Sequence, residues 1–332
     1  SFVFVFSIYK ITHLAAIEKY IGKYNFLISL RFQLVKENQS ITEFVLLGFY
    51  DIPELPLPFF VVLTVIYVSI GNMLILVAVI SSQRLHTPMY FFLAGLSLLE
   101  LLQTSTVVPK MLESFLQEST ISMAGCLFQF FVFGSLATAE CFLLAVMAND
   151  CYLVVCYPLC YPLLMSQMGL GLVLASWLSG FLVDGLIVAL MVQLKFCSLN
   201  HIDHFYCDFM PLAELACSDP SVAQVTTSVL SMVCFAVPFG LILTSYPQIL
   251  VAVLRVPDGA SRRKAFFTCS SHLVVVSTFY GTLMILYIEP PTVHSLSPKV
   301  CSLLYMVPTP IFNPMVYALR NKEVHRALRR LL

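Results

Sequence analysis

Long apolar stretches, separated by short polar connections, dominate the pattern of hydrophobic positions along the chain. Each stretch is close to the ~20 residues that an α-helix needs to cross about 30 Å of hydrocarbon. A membrane β-barrel would instead show segments of about ten residues with alternating polarity. The pattern therefore predicts seven membrane-spanning helices: Leu57–Ser81, Pro88–Val108, Ala124–Met147, Leu170–Val192, Val222–Ile249, Ala265–Ile288 and Val300–Leu319.

The end of the chain has a two-sided pattern that differs from these spans. Residues 321–332 place Val324, Leu328 and Leu331 on one side of a helix and basic side chains on the other. A helix of this kind lies along a membrane surface. The predicted fold class is therefore an all-α membrane protein, a seven-transmembrane helix bundle with a short amphipathic C-terminal helix.

The composition agrees with lipid as the solvent of this chain. Of its 332 residues, 59% are hydrophobic and 11% are charged, whereas a soluble domain has roughly 25% charged residues. The chain therefore has too little polar surface to cover itself in water. The sequence also shows no nucleophile–base pair, phosphate-binding loop or zinc tetrad at an aqueous mouth, so we predict neither an enzyme nor a nucleic-acid-binding protein.

The basic residues indicate how the helices are oriented in the membrane. Counted from Glu37, ten lie in the connections that are inside if the N-terminus is outside, and three lie in the outer connections, which fits the positive-inside rule. A glycosylation sequon at Asn38 supports the same orientation. We predict a plasma-membrane protein with an extracellular N-terminus. The inner residues are Arg84, Arg255, Arg262, Arg263, Lys264, Arg320, Lys322, Arg326, Arg329 and Arg330; the outer ones are Lys110, Lys195 and Lys299.

Residues 1–36 fit none of these patterns. Their apolar run is too short for a span, and no cleavage site of a signal peptide follows it. The first methionine of the chain is Met73. We therefore expect this segment to be disordered or to lie outside the native protein, as a translated upstream region would. Residues 37–332 form the predicted membrane domain.

The eleven cysteines fall into two main groups. Cys126, Cys197, Cys207 and Cys217 lie near polar connections on the predicted outer face, where disulfides form. The segment His201–Asp208 also has the spacing of a metal site, so disulfide and metal interpretations are both open for its cysteine. Others lie inside apolar runs, where a thiol behaves as a small hydrophobe: Cys141, Cys156, Cys234, Cys269 and Cys301.

Six short motifs follow one another in order and in register along the chain. One of them, Met147–Tyr152, ends the third apolar stretch with Met-Ala-Asn-Asp-Cys-Tyr. Together the motifs resemble those of the olfactory receptors, the odorant branch of the rhodopsin-like G-protein-coupled receptors, over residues 37–332. The six are Gly71–Asn72, Leu85–Leu93, Met147–Tyr152, Ser245–Tyr246, Lys264–Leu273 and Pro310–Tyr317.

The resemblance implies a receptor that binds small volatile odorants inside the bundle and couples to a stimulatory olfactory G protein. In the family, the ligand lies between the third, fifth, sixth and seventh helices, and the inner ends of the helices meet the G protein. The ligand-lining positions so implied are Phe133, Ala137, Thr138, Tyr280, Leu283, Met284 and Tyr287. The implied coupling positions are Asp150, Cys151, Tyr152, Tyr246 and Tyr317.

The disulfide pairs also follow from the resemblance. It implies that Cys126 pairs with Cys207 and that Cys197 pairs with Cys217. These links would pin the loop between the fourth and fifth helices as a lid over the ligand. The sulfur of a disulfide is a poor metal ligand, so the resemblance favours the disulfide interpretation of His201–Asp208 over the metal interpretation.

Acidic residues inside the spans are the remaining candidates. A charge at mid-bilayer costs at least ~2.5–3.5 kcal/mol, so each should face the bundle interior or be neutral. The resemblance places Glu100 and Glu140, with Asn72 and Asn313 nearby, at the sodium pocket of rhodopsin-like receptors. The alternative is a pair of neutral acids hydrogen-bonded to neighbouring helices. The resemblance does not explain Asp184.

The chain departs from the family at positions that face the G protein. The family's arginine after Asp150 is Cys151 here, and a second family arginine is Cys160. A cysteine carries neither a stable positive charge nor a fork of hydrogen-bond donors. We therefore expect the fold to survive and the signalling to be impaired.

Two alternatives to a signalling receptor stay open at this point. One is a folded but silent receptor, or one derived from a pseudogene, because two arginines and a start methionine are missing. The other is a membrane transporter or channel, which would show inverted repeats and broken helices in corresponding halves of the sequence. No such repeat is visible in the sequence.

Overall fold

The computed structural model describes residues 42–48, 57–197, 200–255 and 259–288, and eight residues of the last part of the chain. The segment 1–36, Asn38, Asn313, Tyr317 and the side chain of Tyr287 lie outside the described residues, so the expectations for them stay predictions. The eight residues are Lys299, Ser302, Leu303, Met306, Val324, Arg326, Ala327 and Arg329.

Six long helices make up most of the described chain, and each covers one of the first six apolar stretches, except that Val192 lies just beyond the end of its helix. Four segments within them are long and apolar enough to cross a membrane, namely Pro88–Phe115, Met123–Cys156, Met168–Met191 and Ser221–Arg255, and Val68–Ser81 is a shorter apolar one. The helices are α1 (Leu57–Ser81), α2 (Pro88–Leu116), α3 (Met123–Cys156), α4 (Tyr161–Met191), the short α5 (Phe209–Leu215), α6 (Ser221–Arg255) and α7 (Gly259–Ile288).

The predicted boundary between the third and fourth helices was wrong. Helix α3 continues past Met147 to Cys156, and α4 begins at Tyr161 rather than Leu170. Pro162 lies in the first turn of α4, where a backbone N–H has no partner within the helix and its loss therefore costs little. Asp150 is consequently held in the regular geometry of α3 rather than in a loop.

Helix α6 is also longer than its apolar stretch predicted. It contains Pro238 and Pro247 and ends at Arg255 instead of Ile249. A proline removes one helical hydrogen bond, and neighbouring helices in a membrane bundle can satisfy the carbonyl that is left free. The prolines therefore do not divide α6.

A small β-sheet was not predicted from the hydrophobic pattern. It lies at the end of the bundle that the predicted orientation makes the outer face; the opposite end is called the inner end. Strand β1 (Glu43–Leu46) lies between β2 (Ser119–Ser122) and β3 (His201–Ile202). The pairing is antiparallel with β2 and parallel with β3. Phe44 and Leu46, two residues apart on one face of β1, are buried against the bundle. The sheet joins the N-terminal segment to two outer connections.

The connection 192–220, between α4 and α6, forms a lid that two disulfides hold in place. Cys126 at the start of α3 is bonded to Cys207, and Cys197 is bonded to Cys217. These are the pairs that the resemblance implied. Gln129 adds a second anchor, because its side chain accepts a hydrogen bond from the backbone N–H of Cys207 at 3.0 Å.

The metal interpretation of His201–Asp208 is not supported by the structure. His204 Nε2 lies 3.2 Å from Ser302 Oγ, and Asp203 forms an ion pair with Lys299 at 2.5 Å. Across the described ranges, no three His, Cys, Asp or Glu side chains come together as metal ligands would. The segment instead ties the lid to the beginning of the seventh apolar stretch.

Asp208 fixes the next turn of the lid. Its side chain accepts a hydrogen bond from the backbone N–H of Phe209 at 2.7 Å and so caps α5. Burial raises the pKa of Asp208 above its ordinary value, in spite of that hydrogen bond, because a buried carboxylate loses its hydration. The lid therefore contains a half-buried carboxyl group whose hydration is reduced.

The described residues of the C-terminal segment agree with the amphipathic pattern. Val324 and Ala327 are helical and buried against Ile75 and Val79 of α1, whereas Arg326 and Arg329 are exposed. Val324 and Ala327 also pack against Leu85, just before α2, and against Tyr90 in its first turn. The segment thus packs on the inner end of the bundle with its basic side chains outward.

Helices α3 and α4 meet at a very close contact. A side chain at Gly180 of α4 would overlap the backbone carbonyl oxygen of Ser135 and press on the backbone nitrogen of Ala139, both on α3. Small residues at such crossings let two helix backbones approach closely in a membrane. Gly171, on the same helix, has nothing within 4 Å of the position of a side chain.

This difference predicts opposite outcomes for the same substitution at the two glycines. Gly180→Ala should destabilise the folded protein by about 1–3 kcal/mol, because the added methyl group meets backbone atoms that cannot rotate away. Gly171→Ala should be neutral or stabilising by up to about 1 kcal/mol, because alanine favours a helix. The change in stability of each variant is measured by its midpoint of thermal unfolding in detergent. Equal midpoints for the two variants would contradict the close contact.

Candidate functional site

Phe133 lies where the lid meets the interior of the bundle. Its ring is 5.3 Å from that of Tyr206 in the lid. It packs both against a lid cluster, made of Val107, Met111, Phe205 and Tyr206, and against a larger central cluster. The central cluster includes Phe92, Leu96, Leu99, Leu136, Leu143, Leu144, Val275, Val276, Phe279 and Tyr280.

Two further side chains line the same region from other helices. Leu283 of α7 is partly buried against the central cluster. Met306, in the seventh apolar stretch, packs against both clusters, as Phe133 does. Met284 and Ala137 are half-buried on the same two helices as Leu283 and Phe133. The structure thus brings Phe133 of α3 and Leu283 of α7 to the central cluster and adds Met306, while the lining roles of Ala137 and Met284 stay predictions.

Tyr280 is the aromatic centre of this region. Its ring lies 5.1 Å from Phe235 and 4.8 Å from Phe239, both on α6. Its hydroxyl donates a 3.4 Å hydrogen bond to the backbone carbonyl of Cys141 on α3. Because the ring is almost completely buried, Tyr280 ties α3, α6 and α7 together beneath the lid.

Thr138 is engaged with the neighbouring helix α4. Its hydroxyl donates a 3.0 Å hydrogen bond to Asp184 Oδ2, and the other carboxyl oxygen of Asp184 lies against Gly134. The absence of a side chain at Gly134 makes room for this buried carboxyl group. The structure thereby gives Asp184, which the resemblance left unexplained, a role in joining α4 to α3.

The two glutamates of the spans are buried, as expected for charges that avoid lipid. Glu100 accepts a 3.1 Å hydrogen bond from Asn72 of α1, and Glu140 accepts a 3.0 Å hydrogen bond from Gln103 of α2. In the part of the chain that is described, Asn72 Oδ1 and Glu140 Oε1 are buried oxygens with no hydrogen-bond partner. These hard oxygen atoms have the chemistry of ligands for a small cation.

At the inner end of α3, Asp150 has a partner other than an arginine. The hydroxyl of Tyr161, at the start of α4, donates a 2.9 Å hydrogen bond to Asp150 Oδ1. Asp150 lies near the end of α3, Tyr161 is the first residue of α4, and Asp150 is buried. The contact satisfies the carboxyl group and holds the two helix ends together.

Cys151 faces the interior of the bundle at this level. It belongs to an inner cluster of Cys151, Ile249, Val253 and Cys269, which α3, α6 and α7 contribute. Cys151 and Cys269 are both buried in this cluster, and neither is in a disulfide. The position therefore makes a neutral contact between α3 and α7.

Tyr246 connects α6 to α7 beside this cluster. Its hydroxyl lies 2.5 Å from Nδ1 of His272, and the two rings are stacked with centroids 6.1 Å apart. Tyr152, another predicted coupling residue, packs at the edge of the inner cluster, and its ring centroid lies 5.7 Å from that of Tyr157. Asp150, Cys151, Tyr152 and Tyr246 therefore lie around the same inner end.

Sequence reasoning missed several residues that build these sites. Gln103, Tyr161 and Met306 have no distinctive pattern in the sequence, because a helix period shows which face is apolar but not which helix that face meets. His272 did carry a signal, since it lies within the motif Lys264–Leu273 on which the resemblance rests. That motif could have identified it as a partner for Tyr246.

Comparison with known proteins identifies the class of molecule. The family model of the olfactory receptors matches residues 60–332. Human olfactory receptor 11A1 is 70% identical over 299 residues, which are 89% of this chain and 95% of that receptor. Human olfactory receptor 11H6 is 46% identical over 88% of this chain and 90% of that receptor, and mouse olfactory receptor 8U9 is 42% identical over 88% and 95%.

These similarities agree with the helices, the lid disulfides and the motifs described above. They extend over most of the chain, so they concern the whole bundle and not a single motif. Olfactory receptors are seven-helix, multi-pass membrane receptors for odorants that act through G proteins; they are not enzymes, transporters or channels. This chain belongs to the olfactory receptor family.

Proposed function

We propose that the odorant of this receptor binds beneath the lid, between α3, α6, α7 and the seventh apolar stretch. The observation that carries the proposal is that Phe133 and Met306 pack against both the lid cluster and the central cluster. A ligand at their junction would contact three helices and the lid. Binding there would be sensed by the elements that also reach the inner end.

The chemistry of this region suits a small, mostly apolar ligand. Phe133, Leu283 and Met306 supply aromatic, branched and thioether surfaces, and sites for small molecules are lined mainly by such side chains. The hydroxyl groups of Thr138 and Tyr280 already donate to Asp184 and to a backbone carbonyl. They can therefore accept a hydrogen bond from a ligand hydroxyl without losing those contacts.

We further propose that the inner end couples to the stimulatory olfactory G protein and that the N-terminus is extracellular at the plasma membrane. Arg255, Arg262 and Arg263 are exposed next to the connection between α6 and α7. A basic surface there suits both the inner leaflet and an acidic partner surface. The glycosylation proposed at Asn38 would lie on the opposite, outer side.

Signalling by this chain should be weak because of Cys151. An arginine at this position could pair with Asp150 or reach the G protein, whereas Cys151 is buried in an apolar cluster with Cys269. Asp150 is instead engaged by Tyr161. The receptor would fold and bind its odorant yet engage its partner poorly. A folded but silent receptor is the limiting case of the same proposal.

A sodium ion is proposed between Glu100 and Glu140. Buried carboxyl groups that approach one another either share a proton or bind a cation; Glu100 and Glu140 are both buried, and the oxygens of Asn72 and Glu140 described above are available ligands. The ion would neutralise charges that lipid disfavours. It would therefore stabilise the arrangement of α1, α2 and α3.

Restoring the arginine should restore the signal. Cys151→Arg should increase cyclic AMP production in response to an odorant, and Cys151→Arg with Cys160→Arg should increase it further. One charge-assisted hydrogen bond contributes about 1.5–3 kcal/mol, which corresponds to roughly a tenfold to hundredfold change in affinity for the partner. Cys156→Arg, which adds the same charge one and a half turns later, is the matched control and should not restore the response.

The receptor for this experiment carries an added start methionine, and responses are compared at equal surface expression. A response of the parent chain equal to that of the double variant would show that coupling does not depend on Cys151. Recovery with Cys156→Arg alone would show that any added positive charge is sufficient. Either result would sink the proposed impairment.

Alanine substitutions of two phenylalanines on α3 test the proposed binding site. In the double arginine variant, a panel of small volatile odorants is screened for agonists. Phe133→Ala should then raise the half-maximal agonist concentration at least about tenfold, equivalent to ~1.4 kcal/mol. Phe131→Ala is the control, because Phe131 packs on Phe181 of α4 instead. Equal shifts in the two variants would argue against a ligand beside Phe133.

Removal of sodium should lower the stability of the receptor. When sodium chloride is replaced by choline chloride, the thermal midpoint of the purified protein should fall, with a loss of about 1.4 kcal/mol if sodium had been present at ten times its Kd. Glu140→Gln should lose this dependence. Glu113→Gln should keep it, because Glu113 pairs with Lys110 at the outer end of α2. A dependence that survives Glu140→Gln would exclude the proposed site.

A further inference from the structure

The inner cluster contains two free thiols. Cys151 comes from α3 and Cys269 from α7, both are buried, and neither is in a disulfide. The two side chains belong to one small cluster, which Ile249 and Val253 of α6 complete. The cluster therefore joins two helices that are far apart in the sequence.

The other free cysteines in the described residues have different surroundings. Cys160 is exposed in the connection between α3 and α4. Cys156 is half-buried, with its thiol 3.9 Å from the backbone carbonyl of Gln248, and Cys269 lies within its electrostatic range. Cys141 and Cys234 lie deeper in the bundle, near each other and near Asp184. Cys151 and Cys269 are thus the pair that the inner cluster holds together.

We propose that Cys151 and Cys269 form a dithiol site at which oxidation by a peroxide creates a disulfide between α3 and α7. One thiol gives its electron pair to hydrogen peroxide, so that the O–O bond breaks and a sulfenic acid and one water form. The second thiol attacks the sulfenic sulfur and releases a second water. Two thiols and one peroxide thereby become one disulfide and two waters.

The site favours this outcome over the simple oxidation of one sulfur. Hydrogen peroxide is small and neutral, so it can enter a buried site that charged reagents do not reach. A sulfenic acid formed there would face the partner thiol at once, before a second peroxide could oxidise it further. The bond would replace a weak contact by a covalent link at the inner end of the bundle.

The other disulfides of the chain allow a direct test. Cys126–Cys207 and Cys197–Cys217 both lie before Arg255, so no described disulfide crosses the connection 256–258 between α6 and α7. A protease site inserted in that connection divides the chain into a part with α3 and a part with α7. After peroxide treatment of membranes, alkylation of free thiols and cleavage, the two parts should stay joined on a non-reducing gel and separate when reduced.

Three cysteine variants assign the link. Cys151→Ser and Cys269→Ser should each abolish the joined species, and Cys156→Ser should leave it unchanged. Mass spectrometry of non-reduced peptides from the chain with its native cysteines should find Cys151 bonded to Cys269, which keeps the test valid if a variant does not reach the membrane. Separated parts after peroxide, or a joined species that depends on Cys156, would overturn the proposal. Neither outcome depends on coupling to a G protein.

Discussion

The lack of water inside a bilayer is the constraint on which this structure depends. A polar side chain in a membrane-spanning helix has to find its partner on another helix, since lipid offers none. The pairs Asn72 with Glu100 and Gln103 with Glu140 connect α1, α2 and α3 in this way. Each polar group that would be costly in lipid thereby becomes a link between helices.

The same constraint explains why polar links occur at several depths of the bundle. Thr138 and Asp184 join α3 to α4, while Tyr161 holds the carboxyl group of Asp150 at the inner end. The hydrophobic effect gives little preference for one helix neighbour over another within lipid, so such polar pairs and close backbone contacts set the arrangement. The close approach at Gly180 is the apolar counterpart of these hydrogen bonds.

Hydrophobic length predicted the existence of the helices better than their ends. A span is recognised by its apolar run, whereas α3 continues beyond that run through Asp150 because a hydroxyl from α4 satisfies the carboxyl group. The sheet that includes Glu43–Leu46 could not be predicted for a related reason. Its partners come from distant connections, and four-residue strands carry too little pattern to reveal the pairing.

The candidate sites were predictable only as far as the resemblance to a family extended. It implied the pairing of Cys126 with Cys207 and the positions of Phe133 and Tyr280, none of which the spacing of residues alone determines. It could not imply what replaces a missing family residue. The clustering of Cys151 with Cys269 follows from the side chains that this particular chain contains, and the structure was needed to find it.

The parallel pairing of β1 with β3 has a consequence for the order of assembly. The side chain of Asn200 donates to the backbone carbonyl of Glu43, 157 positions earlier. During synthesis, β1 can pair with β2 once the first two helices have been made, but its other edge must wait for β3 until four helices and the first part of the lid have been made. Closing so long a loop is slow and entropically costly. The outer sheet is therefore a late product of biogenesis, and its completion reports that the first four helices have already reached their places.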